Sequence, residues 1–252
     1  MTAVPGTAAL TAAARVLAEP DGRGGTALPV LAGGGPFALR RTLGEGPGAH
    51  VVLIGSMAAP LGGDRLAVRV ELRPGAVLRL TSAAATVSLP GPGPAHYEQE
   101  LTVGADAELD WSPEPVIAAA GSHLVLRTRI ELAAGARLRY REEQVLGRLH
   151  DWTRGGGPGR LTSRLTVRQA GQVILDQQTD LGPGAPGWDG PACLGGHRAV
   201  GQLLTVGLPA PTAPAAGDAA LMALPGHGAA LLTALAPDGL QLRRALAGRQ
   251  GS

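Results

Sequence analysis

One spacing of apolar residues recurs four times along the chain. Each copy reads apolar, polar, apolar, then five residues, then apolar, polar, apolar. The copies begin at Val70, Leu101, Ile130 and Leu165, so their starts lie 31, 29 and 35 residues apart. Because alternate residues of a strand point to opposite faces, each copy predicts two strands that bury one face. A period of this size predicts a repeated supersecondary unit.

Two arrangements of that unit satisfy the spacing. In a hairpin, Leu72 faces Leu78 and Val70 faces Leu80, with residues 74–76 at the tip. If the chain turns a corner instead, the copies become successive rungs of a β-helix. Both arrangements predict a mainly β, β-helix-like stack of strands.

Length and turn residues support one all-β domain. The chain has 252 residues, a length that all-β proteins commonly fold as a single domain, so we expect one domain over residues 1–252. The 39 glycines and 21 prolines lie between the alternating runs, as tight turns require. Further strands are predicted at 13–18, 26–31, 37–42, 51–54 and 198–206, and the one at 51–54 is expected to be buried on both faces because it is continuously apolar. Residues 229–236 predict a strand or a short helix, and 209–217 a flexible break. A helix is predicted over 239–247, with Asp238 as its N-cap.

Charge and cysteine content exclude several classes of protein. All 22 basic residues are arginine, which removes any lysine nucleophile, Schiff base or P-loop lysine. The net charge is only +2 and the arginines alternate with acids, so we expect no nucleic-acid partner. The single cysteine, Cys193, excludes an internal disulfide and fits a reducing compartment. No apolar window is long enough to span a membrane, and the N-terminus has no basic region. We therefore expect a cytoplasmic protein without membrane contacts.

Catalytic motifs are missing from the sequence. The six histidines are scattered, and H-E-x-x-H, C-x-x-C and G-x-S-x-G do not occur. Residues 182–187 match G-x-G-x-x-G, but the two prolines there leave no helix N-terminus for a phosphate. Cys193 and His197 have a spacing that could ligate a soft metal, although a loop cysteine beside an unrelated histidine is the favoured interpretation. The sequence therefore predicts a protein that is not an enzyme.

Acidic residues interrupt the apolar pattern at a few positions. Glu142 and Glu143 are adjacent in the third copy, so one of them must face the interior unless a bulge turns both to solvent. Asp176 directly follows the fourth copy and has the same ambiguity. Asp64 follows two glycines, a position typical of a turn residue.

An ordered set of motifs resembles the urease accessory protein UreD (UreH) family. The motifs are Gly62-Gly63-Asp64-Arg65-Leu66, Pro74-Gly75-Ala76, Leu80-Thr81-x3-Ala85-Thr86, Glu108-Leu-x-Trp111-x-Pro113, Leu146-Gly147-Arg148, Arg164-Leu-x-Val167 and Gly195-Gly-x-Arg198-x-Val-Gly201. The resemblance runs from about residue 13 to the end of the chain.

The resemblance implies a non-enzymatic chaperone of nickel insertion with a largely β fold. It implies the partners UreF, UreG and apo-urease, and Ni(II) as an ion in transit through an internal tunnel, with no tightly bound cofactor. Matched by position, the residues implied for the nickel route are Asp64, Thr86, Glu142 and Asp176. We expect the three acids to serve nickel delivery rather than folding.

Some segments depart from the family pattern. The family's His-Pro-Pro before the two glycines is Met57-Ala-Ala-Pro60 here, and the stretch after Leu-Gly-Arg is His150-Asp-Trp-Thr153.

Two alternatives stay open beside the resemblance. A carbohydrate-active β-helix enzyme would need paired carboxylates and surface aromatics, and the chain has one Phe, two Tyr and three Trp. The second alternative is a β binding module that is unrelated to urease.

Overall fold

The computed structural model describes residues 9–44, 46, 48–213 and 217–247. Those residues form seventeen strands and two short helices. The strands are β1 Thr11–Pro20, β2 Thr26–Ala32, β3 Phe37–Thr42, β4 Ala49–Gly55, β5 Arg65–Leu72, β6 Val77–Ser82, β7 Thr86–Ser88, β8 Ala95–Val103, β9 Glu108–Ser112, β10 Val116–Ala118, β11 His123–Leu132, β12 Arg137–Leu146, β13 Arg160–Gln169, β14 Gln172–Leu181, β15 Ala199–Val206, β16 Asp218–Leu224 and β17 Ala229–Ala236. The helices are α1 Leu149–Thr153 and α2 Gly239–Ala247.

The strands form two sheets that enclose one large apolar core. The first sheet has the order β14-β13-β11-β8-β5-β1-β2. The second has the order β16-β17-β15-β12-β9-β6-β4-β3, with β10 pairing both β12 and β7. The prediction of a mainly β stack with a little C-terminal helix is confirmed. In the described parts of the chain, no helix is long and apolar enough to cross a membrane.

The first three copies of the repeat are rungs of a β-helix. Each copy places its first strand in the first sheet, turns a corner, and places its second strand in the second sheet. The rungs stack in parallel and in register, so that Leu72 aligns with Val103 and Val103 with Leu132. This alignment puts the apolar residues of each rung on the inner face, as the alternation requires.

The fourth copy is a hairpin. Strand β13 continues the parallel stack beside β11, but β14 returns antiparallel to β13, with Val167 opposite Leu175. Both arrangements that the spacing allowed therefore occur in one molecule. Strand β14 forms one edge of the first sheet, and its Val173 is exposed.

The corner within each of the three rungs needs a left-handed backbone. Gly75 and Gly135 have φ of 75° and 74°, and the middle rung uses Asp106 with φ of 56°. Successive corners touch, since the Gly75 N–H donates to Ala105 O at 2.9 Å. A Cβ on Gly135 would collide with the Asp106 carboxylate. Glycine therefore serves both the dihedral and the close stacking at these corners.

The C-terminal helix α2 covers part of the second sheet. Its N-cap is as predicted: the Gln241 N–H donates to Asp238 Oδ1 at 2.8 Å. Leu242 and Leu246 are buried in a small core against β15 and β17. Leu240 is 62% exposed on the other side of the helix.

Candidate functional site

A row of polar side chains crosses the otherwise apolar interior between the two sheets. Its members point inward from β8, β11 and β13 of the first sheet and from β12 and β15 of the second. We call it the interior polar row, and its residues are Tyr97, Gln99, Thr128, Tyr140, Glu142, Gln144, Ser163 and Gln202, all of them buried.

Hydrogen bonds link the first half of the row. Thr128 lies opposite Gln99 in the parallel ladder, and Thr128 Oγ1 donates to Gln99 Oε1 at 3.0 Å. The Tyr140 hydroxyl of the second sheet donates to Thr128 Oγ1 at 3.4 Å, which bridges the two sheets. Burial raises the pKa of the Tyr140 hydroxyl well above its ordinary value, so this group stays neutral and remains a donor.

Glu142 is the carboxylate of the row. Gln202 Nε2 donates to its Oε2 at 2.6 Å, while Gln144 Nε2 and Ser163 Oγ reach its Oε1 at 2.9 and 3.3 Å. All three donors are neutral, and burial raises the pKa of Glu142 above its ordinary value despite these hydrogen bonds. The site therefore favours the protonated form of this carboxyl group.

A cavity lies at each end of the row. At one end, a cavity of about 110 Å³ is lined by Glu142, Gln202 and Ser163 and extends to the exposed Thr179 of β14. We call it the Glu142 cavity. At the other end, Tyr97 lines a cavity of about 360 Å³ that reaches the exposed Met57.

Thr86 lines this second cavity together with Tyr97, and we call it the Thr86 cavity. It is mostly apolar, with Phe37 stacked on Tyr97 at a ring separation of 5.8 Å. Two of the four residues predicted for the nickel route, Thr86 and Glu142, therefore lie at opposite ends of one polar row.

Asp64 lies elsewhere and holds the backbone. Its Oδ1 accepts the Leu10 N–H and its Oδ2 accepts the Leu61 N–H, both at 2.8 Å. These bonds fix the turn before β5 and the start of β1. The side chain is buried, and both of its oxygens are already used by the backbone.

Asp176 lies on the outer face of β14. Arg164 Nη2 contacts its Oδ2 at 2.8 Å, and Thr166 Oγ1 donates to its Oδ1 at 3.1 Å. The Arg164 guanidinium lowers the pKa of Asp176 below its ordinary value. The structure thus places Asp176 on the outside of the first sheet, away from the interior row.

Glu142 and Glu143 occupy opposite faces of a regular strand. Strand β12 pairs with β15 without a bulge, so Glu142 faces the interior and Glu143 faces helix α2. Glu143 is also buried, and Arg243 of α2 binds it through Nε and Nη2 at 3.1 and 3.0 Å. Arg141 Nε lies 3.1 Å from the same carboxylate. A buried ion pair, rather than a bulge, accommodates the second acid.

Both ring nitrogens of His197 contact groups other than Cys193. His197 Nδ1 bonds Leu194 O at 2.9 Å and its Nε2 lies 3.1 Å from Asp218, while Cys193 is exposed. Among the described residues, no three His, Cys, Asp or Glu side chains come together as a metal cluster.

Sequence reasoning missed most of the row. Gln99 could have been found, because it stands two residues before Leu101 and so occupies an inward position of the repeat. Gln202 carried no such signal. Strand β15 is buried on both faces and shows no alternation from which to read an inward position.

Comparison with known proteins identifies the family. The model of the family described as "UreD urease accessory protein" matches residues 7–250. A protein of Streptomyces coelicolor named "Urease accessory protein UreD" is 55% identical over 100% of this chain and 99% of its own length. One of Streptomyces avermitilis with the same name is 54% identical over 95% and 96%. The chain belongs to the UreD family of urease accessory proteins.

Proposed function

We propose that this chain acts in the cytoplasm with UreF and UreG on apo-urease and helps to deliver Ni(II) to the urease active site. Membership of the UreD family supports the accessory role. One observation carries the nickel part of the proposal. A single buried carboxylate, Glu142, stands among neutral donors at the end of a polar row that crosses the core.

The interior polar row suits an ion in transit. Ni(II) is a borderline cation that closed sets of imidazoles and thiolates hold firmly, whereas carboxylate, amide and hydroxyl oxygens bind it more weakly. One carboxylate followed by neutral oxygens gives an entering ion a place to bind without trapping it. We propose that nickel passes between the Glu142 cavity and the Thr86 cavity along this row.

The same row argues against the carbohydrate-active enzyme. Glycoside hydrolysis uses a pair of carboxyl groups on either side of the scissile bond. Glu142 is the one carboxyl group of the row, and its cavity of about 110 Å³ is small for a sugar ring and its neighbours. We therefore propose a scaffold that catalyses no reaction of its own.

Reconstitution with purified components tests the proposed function. Apo-urease, UreF and UreG are incubated with Ni(II), with or without this chain, and the nickel bound to the repurified urease is measured. We expect the chain to co-purify with tagged apo-urease in the presence of UreF and to raise the nickel content. Equal nickel loading without the chain, or no co-purification, would overturn the proposal.

A further inference from the structure

Three of the four strands that end the two sheets are protected against pairing with another strand. The sheets end at β14 and β2 and at β16 and β3. Natural edge strands avoid such pairing through proline, charged side chains, bulges or short length. Strand β2 contains Pro29, β3 exposes Arg40 and Arg41, and β14 carries Asp176 and a register shift against β13. The side strand β7 is only three residues long.

Strand β16 has none of these features. Residues 219–224 are all apolar, and β16 pairs with β17 over its whole length without a register shift. The one charge of the strand, Asp218, is its first residue and lies 3.1 Å from His197. Within the described parts of the chain, β16 has β17 as its single neighbouring strand. A row of its backbone N–H and C=O groups is therefore free to pair with a further strand.

The large side chains of β16 extend both apolar cores to the edge of the sheet. Leu221 lies beside Leu232 of the small core under α2, and Met222 lies beside Leu231 of the main core. They are nevertheless 42% and 48% exposed. Because neighbouring residues of a strand point to opposite faces, a strand added beside β16 would cover both of them.

The remaining segments of the chain do not supply such a strand. Residues 1–8 precede β1, which contacts β3 at the opposite end of the second sheet from β16. Residues 214–216 are a Pro-Ala-Ala tripeptide just before β16, and 248–252 read Gly-Arg-Gln-Gly-Ser. Neither segment is an apolar strand of matching length.

A second copy of β16 complements the first. When the two copies run antiparallel with Leu221 at the centre, Leu221 lies opposite its own copy, and Ala220 lies opposite Met222. The two aspartates stand at opposite ends, so no like charges face each other. An interface of this kind uses the same patch on both chains, which is the commonest symmetry of soluble homo-oligomers.

We propose that two copies of this chain associate through antiparallel pairing of their β16 strands, with the two-fold axis at Leu221. The second sheets of the two copies then form one continuous sheet. A pair of seven-residue strands is a small interface, so we expect a dissociation constant on the order of 10 µM. Strand β16 lines neither the Glu142 cavity nor the Thr86 cavity, so this inference does not rest on the proposed nickel route.

Charges placed at the two-fold axis test the proposal, with sedimentation equilibrium of the purified full chain as the measurement. Leu221→Lys and Leu221→Glu each bring two like charges directly opposite each other. Each variant alone should dimerise at least about tenfold more weakly than the unchanged chain. An equal mixture of the two should dimerise again, because lysine then faces glutamate. The matched control is Leu43→Lys, at a fully exposed position beyond β3 at the other end of the sheet, and it should dimerise normally.

Three results would overturn the proposal. The first is an unchanged chain that stays monomeric at roughly ten times the expected dissociation constant, as it would if β16 paired only with a strand of another protein. The second is normal dimerisation of Leu221→Lys and Leu221→Glu alone. The third is a mixture of these folded variants that remains monomeric, which would place the contact elsewhere.

Cross-linking supplies a second arm, which decides the matter if a charge at Leu221 prevents folding. Directly opposite residues of antiparallel strands have Cα atoms about 4.5–5.5 Å apart, a separation that a disulfide can bridge. In a Cys193→Ser background, mild oxidation should link Leu221→Cys into a covalent dimer. Leu43→Cys in the same background should stay unlinked. Equal cross-linking of both variants, or none of either, would contradict the pairing at Leu221.

Discussion

Glu142 is a buried carboxylate that pairs with no positive side chain among the described residues. Its hydrogen bonds come from two amides and a hydroxyl, and it is 6% exposed. The cost of desolvating its charged form outweighs these bonds, so its pKa is raised above the ordinary 4.5. The folded protein therefore binds a proton at Glu142 more tightly than the unfolded chain does.

This difference predicts how stability depends on pH. Between pH 4.5 and the raised pKa of Glu142, the folded state holds a proton that the unfolded state has lost, so Glu142 lowers stability as pH rises through this window. Glu142→Gln removes the titration. The melting temperature of the variant minus that of the unchanged protein should therefore increase from pH 4.5 towards pH 8.

Thermal unfolding of both proteins over this range makes the measurement. Other groups also titrate in the folded protein, such as Asp180, whose pKa is lowered by Arg160. They affect the stability of both proteins equally, so their effect cancels in the difference between the two melting temperatures. A difference that stays constant across the range would show that Glu142 has an ordinary pKa.

Asp64 has a structural task that Glu142 lacks. Its carboxylate accepts the N–H groups of Leu10 and Leu61, so its removal leaves two backbone donors without their partner. We predict that Asp64→Ala lowers the free energy of unfolding by about 1–3 kcal/mol. Asp176→Ala should change stability little, because its ion pair with Arg164 is exposed to solvent.

Chemical denaturation of the two variants measures these changes. That Asp64 and Asp176 also serve nickel delivery stays a prediction, and a folded Asp64→Asn variant is the form in which to test it. Equal stability of Asp64→Ala and the unchanged protein would contradict the structural role.

At the scale of elements, the repeat predicted the strands well and their connections less well. The alternating copies give the strand positions because period 2 depends only on which face is buried. A hairpin and a corner impose the same alternation, so the pattern could not show that three copies turn corners and the fourth returns. The copy with a corner and the copy with a hairpin differ in how their first strands are paired. In the third copy, β11 has a parallel neighbour on each side, whereas in the fourth copy β13 has one parallel neighbour and the antiparallel edge strand β14.

Two other elements show where sequence patterns carry little information. Strand β16 was not predicted, because its Asp218–Leu224 stretch is an edge strand with mostly exposed residues and no alternation. The break predicted over 209–217 lies partly outside the described residues. Residues 51–54 are in a strand, as predicted, but Val52 and Ile54 are only half-buried because one face of β4 is outward.

Helix α2 offers a prediction at the same scale. Leu242 is fully buried against the second sheet, whereas Leu240, two residues earlier, is 62% exposed. We predict that Leu242→Ala lowers the free energy of unfolding by about 2–5 kcal/mol, through lost burial and the cavity left behind. Leu240→Ala is the matched control and should change stability by less than about 0.5 kcal/mol.

Denaturant unfolding of the two variants gives both values. The helix is also held by Arg243, which binds the buried Glu143 and the half-buried Glu114. A small effect of Leu242→Ala would mean that this ion pair, rather than apolar packing, holds the helix on the sheet.

At the scale of the whole molecule, the two faces of the first sheet differ in the side chains that they carry. The inner face carries Gln99, Thr128 and Ser163 towards the core, where they join the row that ends at Glu142. The outer face carries arginines and acids side by side, such as Arg127 opposite Glu98. A stack of parallel rungs makes this possible, because every strand of it offers one face to each side.

The most direct test of the account is the nickel content of urease matured with Glu142→Gln. The variant keeps the shape of the side chain but removes the carboxylate from the interior polar row. The matched control is Glu98→Gln, the same substitution at an outward position of β8. Both are compared with the unchanged chain together with UreF, UreG and apo-urease, and co-purification checks that the complex still forms.

With the complex intact, we predict that Glu142→Gln lowers the nickel bound per urease active site by about tenfold or more. Glu98→Gln should load nickel like the unchanged chain. Normal nickel loading by Glu142→Gln in an intact complex would contradict the claim that nickel passes along the interior polar row.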